Sequence, residues 1–307
     1  MTNRVYRVFK MAFQLAYSCN MSCRGCLTIS DEPRDGVENT QQAMLSMQEW
    51  SQVLDPDWIT LNGGEPLMHP DIKLLAQQAR LCWPRASICI MTNGLLLRKI
   101  MDRDWLESIK PVEIRVSLHR NDDSGRFFKP LLREFMDMYS GWQRDSTTFD
   151  GSHVTALWQD ENHPHKFSHS INGVTVSVTQ YERFTVPYKL EADGTKSPHG
   201  SDPAASWSHC VAPELPTLYR GRLWKCAPYA NLNDAVPDFD QRWPAYQTLG
   251  STDDLEEYFE NIAKPHAICS MCPSSRDLQL GTAVDHLDPA NVHILPSSRW
   301  MQKHTGW

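Results

Sequence analysis

Tyr17-Ser18-Cys19-Asn20-Met21-Ser22-Cys23-Arg24-Gly25-Cys26 puts three cysteines into ten residues, with three residues between the first two and two between the last two. The odd number is informative. A disulfide framework wants pairs, and a structural zinc site wants four ligands. Three thiolates on a tight loop suit a cubane [4Fe–4S] cluster, which normally takes four. One iron then lacks a protein ligand and is open to a small molecule, to which it can pass an electron.

Downstream, Asn62-Gly63-Gly64-Glu65-Pro66 follows a short apolar run, Trp58-Ile59-Thr60-Leu61. Glycines let backbone groups approach a ligand closely, and the Glu65 carboxylate can accept from an ammonium or pin the turn. Alone, the segment reads as an ordinary strand-ending turn. Behind the cysteine trio, the pair of motifs resembles the radical S-adenosylmethionine (radical SAM) superfamily. The resemblance extends to Gly-Gly-Glu-Pro-Leu-x-His-Pro-Asp from Gly63 and to Thr-Asn-Gly-x-Leu-Leu from Thr92. It is similar to a radical SAM group associated in part with surface-polysaccharide loci.

The resemblance implies that Cys19, Cys23 and Cys26 hold a [4Fe–4S] cluster whose open iron chelates the amino and carboxylate groups of SAM. Gly63, Gly64, Glu65 and Pro66 are expected around the SAM amino group, with Asn93 as a further contact. Reductive cleavage of the S–C5′ bond then yields a 5′-deoxyadenosyl radical that takes hydrogen from a C–H bond. The electron would come from a donor such as flavodoxin or ferredoxin. One position departs from the family pattern: many members carry an aromatic residue before the third cysteine, packed on the adenine, and here it is Gly25.

Apolar runs alternate with helical spacing along the first half. Strands are expected at 11–17, 57–61, 87–91, 112–118 and 173–179, with helices at 43–54, 70–83, 95–109 and 127–142. Strands alternating with helices of this length imply parallel βαβ units. The expected fold is α/β: a partial (β/α)6 TIM-type barrel with a small C-terminal auxiliary-cluster domain containing a β-hairpin. Both motifs fall at carboxyl ends of strands, where such architectures place ligands. Period two puts Glu113, Arg115, Ser117 and His119 on one face of the fourth strand, and Thr175, Ser177, Thr179 and Tyr181 on one face of the fifth. Ser117 is the preferred SAM contact there and Arg115 the candidate for a carboxylate; a solvated or internally paired face is the alternative. Residues 143–170 hold His153, His163, His165 and His169 without fixed ligand spacing, and read as an exposed polar insertion rather than a metal site. His69 reads as a loop-fixing residue. Cys82 and Cys89 read as core thiols, although an epimerase needs a hydrogen-atom donor and Cys89 is the candidate.

The domain division is 10–190 for the core, 191–209 for a Gly/Ser/Pro/Asp-rich linker, 210–280 for the auxiliary domain and 281–307 for a tail. Cys210, Cys226, Cys269 and Cys272 lie in the third part. Tyr219 to Lys225 reads as a hairpin about Gly221, and Cys269-Ser270-Met271-Cys272 is a C-x2-C element. Four thiolates in this order can hold zinc or a second Fe–S cluster. Cys, ten residues, Gly, four residues, Cys resembles the opening of the auxiliary-cluster domain of many radical SAM enzymes. With no cysteine after Cys272, it resembles the shortened one-cluster form called twitch, which implies an auxiliary [4Fe–4S] cluster.

Composition narrows the partners. The chain has 307 residues, 41% of them hydrophobic, and a net charge of −7. That balance argues against a broad nucleic-acid surface, though not against a local basic patch. No apolar run reaches membrane-span length, and no signal-type apolar core follows the N-terminus, so a cytoplasmic protein with reduced cysteines is expected. The expected substrate is a small polar molecule such as a sugar, cyclitol or nucleoside derivative. The expected outcome is oxidation, if the auxiliary cluster takes the substrate's electron, or epimerisation, if a thiol returns a hydrogen atom; rearrangement and decarboxylation stay open. The alternatives are radical modification of a peptide or nucleobase, or a non-catalytic metal-stabilised binding protein.

Overall fold

The computed structural model describes residues 5–23, 26–29, 32, 34, 36–118, 134, 166–180, 186–210, 212–250, 255–275 and 292–293. The expected helix at 127–142, apart from Glu134, lies outside these residues, as do His119, His153, His163, His165 and Tyr181.

One eight-stranded sheet organises the protein. Its elements, in chain order, begin with strand β1 (Tyr6–Ala16), helix α1 (Thr40–Trp50), β2 (Leu54–Gly63), α2 (Ile72–Cys82), β3 (Ser87–Thr92), α3 (Arg103–Ser108) and β4 (Val112–Leu118). Next come β5 (Lys166–Ile171), β6 (Val174–Gln180), α4 (Pro203–Ser208), β7 (Thr217–Tyr219), β8 (Arg222–Trp224), α5 (Ala227–Ala235), α6 (Phe239–Arg242) and α7 (Leu255–Ile262). Across the sheet the order is β8-β7-β1-β2-β3-β4-β6-β5. The run from β7 to β6 is parallel throughout, while β8 and β5 are antiparallel at the two edges. The fold is therefore α/β with a mostly parallel sheet, open at β5 and β8.

Two findings differ from expectation. The Gly221 hairpin forms, but it is part of the main sheet: β7 pairs in parallel with β1, through Ala12 opposite Thr217 and Phe13 opposite Leu218. The stretch read as a linker carries α4, with Asp202 capping the Ala205 amide at 2.8 Å and Pro203 in the first turn. Helix bounds also move. Asn39 caps the Gln42 amide, so α1 starts before Ala43, and Leu54 belongs to β2 rather than to the helix. The segment 95–109 divides into a 3-10 turn at Leu97–Ile100 and α3, which Asp102 caps at Trp105.

Strand side chains alternate between the two faces. On one face, Met11, Phe13, Leu15, Ile59, Leu61, Ile88, Ile90, Ile114, Val116 and Val176 form a single core with α1, α2, α3 and α7. The other, inner face is polar and is met by a second core built from the C-terminal region. That core joins Tyr219, Trp224, Tyr229, Phe239, Trp243, Ile268 and Met271 to Tyr17 and Ile29, which flank the cysteine trio. Among the described residues, no helix is long and apolar enough to cross a membrane.

Arg80, on α2, clamps the bottom of the sheet. Its guanidinium donates to the carbonyls of Ala86 at 2.7 Å, Ile109 at 2.8 Å, Pro111 at 2.9 Å and Pro84 at 3.0 Å. It closes the turns that lead into β3 and β4. Bonds to a charged donor each contribute about 1.5–3 kcal/mol, and losing the donor leaves several carbonyls short of a partner. Arg80→Gln is expected to lower unfolding free energy by about 2–4 kcal/mol, read by denaturant titration; a change within 0.5 kcal/mol, the range of about any neutral surface substitution, would remove the clamp from the account.

Candidate active site

The cysteine loop leaves the end of β1 and is stitched to the end of β2. The Gly64 amide donates to Ala16 O at 2.8 Å and the Glu65 amide to Ser18 O at 3.0 Å. At this seam the two glycines are obligatory. A Cβ on Gly64 would stand 2.2 Å from Ser18 O, and one on Gly63 (φ +136°) 2.2 Å from Ala16 O. The sequence reading had them approach a ligand; the closest backbone they meet is that of the cysteine loop itself.

Glu65 is fully buried and its carboxylate is occupied by the protein. It accepts from the Leu67 amide at 3.0 Å, the Thr92 hydroxyl at 2.7 Å and the Asn93 amide at 2.7 Å. Burial pushes its pKa up to about 7, against these hydrogen bonds, which lower it. Of the two roles read from sequence, the structure shows the pin: Glu65 ties the end of β2 to the end of β3. Asn93 completes the arrangement. Its Nδ2 donates to Asn20 Oδ1 at 2.7 Å and lies 3.7 Å from Cys19 Sγ. The trio, GGEP and TNG are thus brought together at one end of the sheet. His69 fixes the adjacent loop, its ring bonding Glu38 O at 2.9 Å and accepting from the Asp71 amide at 3.0 Å.

Cys19, Cys23 and Cys26 pack with Met21 and Leu95. The Met21 amide donates to Cys19 Sγ at 3.4 Å. The Cys19 thiol is pushed well up, first by burial and then by the neighbouring charges of Glu65, Cys26 and Cys23. Burial and these neighbouring charges oppose ionisation of the Cys19 thiol, and a bound iron–sulfur centre would supply the positive charge that offsets them. The donor set fits the cluster.

The four late cysteines lie near enough to influence one another's charge. Cys226 is the N-cap residue of α5, Cys210 follows α4, and Cys269 and Cys272 lie in and just after the 3-10 turn Ala267–Met271. Burial raises Cys226 to about 12, and Cys210 and Cys269 add to the shift. Cys272 is raised by burial and by Cys226, Cys210 and Cys269. The Ser206 hydroxyl holds Cys272 O at 3.0 Å, so α4 is tied to the C-x2-C turn. Among the described residues, no three His, Cys, Asp or Glu groups converge as a single-ion site. Sequence reasoning missed Lys225. Its buried ammonium donates to Asn261 O at 2.8 Å and to Ile262 O, and sits 4.4 Å over the Trp207 ring, close to the charges of Cys269, Cys226 and Cys210. Its adjacency to Cys226 was the only signal available.

Below the motifs, the inner face runs in register. Ala12, Thr60, Cys89, Glu113 and Thr175 form one row across β1, β2, β3, β4 and β6. Gln14 stands opposite Asn62, and Arg115 opposite Ser177, one layer nearer the cysteine loop. Arg115 donates to Glu113 at 3.0 and 2.7 Å, and Ser177 also donates to Glu113. The internally paired face foreseen as the alternative is present here. Ser117 is buried one layer higher. Cys89 lies on this face rather than in the helix-side core; burial raises its thiol to about 12, so it is neutral S–H near pH 7.

Residues 10–125 match the family profile described as a 4Fe-4S single cluster domain. The GTP 3',8-cyclase of Chlorobaculum tepidum is 34% identical over 91 residues, covering 28% of this chain and 26% of the cyclase. Molybdenum cofactor biosynthesis protein 1 of Bos taurus is 32% identical over 98 residues, 30% of this chain and 15% of that protein. This chain therefore spans about a quarter or less of the curated relatives it matches. Among solved structures, BtrN in complex with AdoMet and 2-DOIA aligns with a TM-score of 0.40 and 14% identity, over 91% of this chain and 89% of that one. The cluster-domain match includes, near its start, the loop that the fold seats against GGEP. The same loop stands together with its GGEP and TNG partners at one end of the sheet.

Because a side chain at Gly64 meets backbone rather than a movable side chain, Gly64→Ala is expected to part the seam. After anaerobic reconstitution with iron and sulfide, the variant should retain well under half of the wild-type iron in the first centre, measured in a Cys269→Ala/Cys272→Ala background. Wild-type iron content would show that the seam does not hold the loop.

Proposed function

We propose that this protein is an enzyme that binds SAM at the Cys19–Cys23–Cys26 cluster and abstracts hydrogen from a small polar substrate, giving oxidation or epimerisation. The observation that carries the reading is the convergence of the three motifs through Gly64–Ala16, Glu65–Ser18, Glu65–Asn93 and Asn93–Asn20. When bound, the reduced cluster supplies the electron that splits SAM into methionine and the 5′-deoxyadenosyl radical. The protein's own residues orient and shelter that event. Gly63 and Gly64 leave backbone exposed beside the loop, Asn93 holds the loop from the β3 side, and the buried Cys19–Cys23 turn keeps solvent off the trio. Ser117 lies at the height of these motifs, which supports a role for it in SAM binding; Arg115, paired to Glu113, lies one layer lower.

Cys210, Cys226, Cys269 and Cys272 are proposed to hold an auxiliary [4Fe–4S] cluster. Their mutual opposition supports a metal centre, and thiolate donors suit iron–sulfur or zinc. A small one-electron protein of the flavodoxin or ferredoxin kind is the proposed donor, and a cytoplasmic location follows from the need for reduced thiols. The GTP 3',8-cyclase match favours a nucleotide as the second substrate reading, although it covers only 28% of this chain.

Anaerobic reconstitution is expected to load about seven to eight irons per chain, the content of two cubanes. Dithionite and SAM should then yield 5′-deoxyadenosine. Cys23→Ala should abolish that product, whereas Cys272→Ala should leave it detectable. Wild-type protein loaded with its first cluster yet producing no 5′-deoxyadenosine would overturn the reading; about four irons would remove the auxiliary cluster alone.

A further inference from the structure

Among the described residues, the inner face leaves four buried polar atoms without hydrogen bonds: Trp58 Nε1 lower on the sheet and three nearer the cysteine loop. Gln14 Nε2, Thr60 Oγ1 and Asn62 Oδ1 are buried and make no hydrogen bond. Gln14 is 0% and Thr60 2% exposed. These groups are neighbours: Gln14 stands opposite Asn62 on β1 and β2, and Thr60 is two residues before Asn62 on the same face. Side chains in cores are ordinarily satisfied, so three adjacent exceptions on one face of one sheet mark a surface built for something else.

The donor on Gln14 is oriented by a chain of bonds. Arg34 donates to Asn231 Oδ1 at 3.1 Å from both terminal nitrogens. That fixes the Asn231 amide, whose Nδ2 donates to Gln14 Oε1 at 2.8 Å and to Ala227 O. Gln14 must then turn its NH2 away, as a free donor beside the free acceptor of Asn62. Among the described residues of the face, the one acid, Glu113, is already neutralised by Arg115 and bonded by Ser177. The three groups nearest the cysteine loop are therefore uncharged: one donor, one acceptor and one hydroxyl that can be either, with the Trp58 N–H a further neutral donor below them. Asn62 lies two residues before Gly64, about 7 Å along the strand from the cluster seam, within one small molecule of the SAM site.

We propose that Gln14, Thr60 and Asn62 recognise the substrate, and that the part they read is a neutral hydroxyl-bearing ring. This rests on the reading of the protein as a SAM-cleaving enzyme. A ring diol or a nucleoside sugar offers adjacent hydroxyls, each able to accept from Gln14 and donate to Asn62, with Thr60 serving a third. An anionic group finds no unpaired cation in this set of three.

Calorimetric titration of the reconstituted full chain with SAM bound, using myo-inositol and guanosine as neutral probes and inorganic phosphate as the anionic one, tests the proposal. Binding of a neutral probe is expected, weakened about three- to tenfold by Thr60→Val and by Asn62→Leu, as for a lost hydrogen bond. The melting temperature of each variant without probe should hold or rise, because the deleted atoms have no partner in the protein. Binding of neither neutral probe, equal binding by the variants, or a preference for phosphate would overturn it. So would a fall in melting temperature, which would show that the groups are structural. Formation of 5′-deoxyadenosine by the wild type reports separately on the SAM reading. Probe binding without that product would sink the enzyme reading while leaving the neutral-ring surface in place.

Discussion

Two backbone hydrogen bonds, from the Gly64 amide to Ala16 O and from the Glu65 amide to Ser18 O, join the ends of the two central strands. Parallel strands ordinarily diverge into separate loops where their ladder ends. Here the ladder continues past a bulge at Ala16 into the cysteine loop, and only residues without a Cβ can stand so close. The position of Cys19 is therefore set by the sheet rather than by the loop's own conformation. Glu65 extends the same constraint one strand further by holding Thr92 and Asn93, and Asn93 returns it to Asn20.

That closed circuit changes the meaning of a motif. In sequence, Glu65 looks like a residue that faces the ligand. In the fold its oxygens take three donors from the protein, at zero exposure, and a carboxylate so engaged has little acceptor capacity to spare. The acid acts instead as a rigid connector, and its burial, which raises its pKa towards neutrality, is tolerated because three donors replace water.

What could be read from the chain alone followed from local chemistry. The alternation in Ile88-Cys89-Ile90 and in Glu113 to Leu118, the odd cysteine trio and the turn at Gly221 each carry their meaning within a few residues, and each reappears in the fold. The failures are of long range. Nothing in Thr217–Tyr219 announces that it pairs with β1 rather than with a strand of its own small domain, since three residues cannot specify a partner. Asn231 carries no pattern linking it to Gln14, 217 residues away. Arg80 reads as a solvated helix residue until the turns it caps are folded beneath it. The proximity of Lys225 to Cys210 and Cys269 likewise depends on tertiary placement.

The β7–β8 hairpin shows how one such placement couples the two cysteine sets. Arg220 and Gly221 both take positive φ, 50° and 72°, as a tight antiparallel turn of this twist demands. Glycine does so freely; arginine does so at a cost, and it is held there by its side chain. The Arg220 guanidinium lies 4.2 Å over the Tyr17 ring and donates to Asp234 at 2.8 Å. Tyr17 is two residues before Cys19 and gives its hydroxyl to Glu38 at 2.5 Å, while β8 leads directly to Cys226. Asp234 also accepts from Tyr219 at 2.7 Å and draws in Arg34, the residue that orients Asn231 and, through it, Gln14. Loop, hairpin and α5 thus share one polar network that runs from the surface at Arg220 and Asp234 to the buried Asn231 and Gln14. A shift at the late cysteines that moved β8 would be felt at Tyr17 through a stacked cation rather than through a flexible tether, so the two cysteine sets and the inner face are mechanically linked.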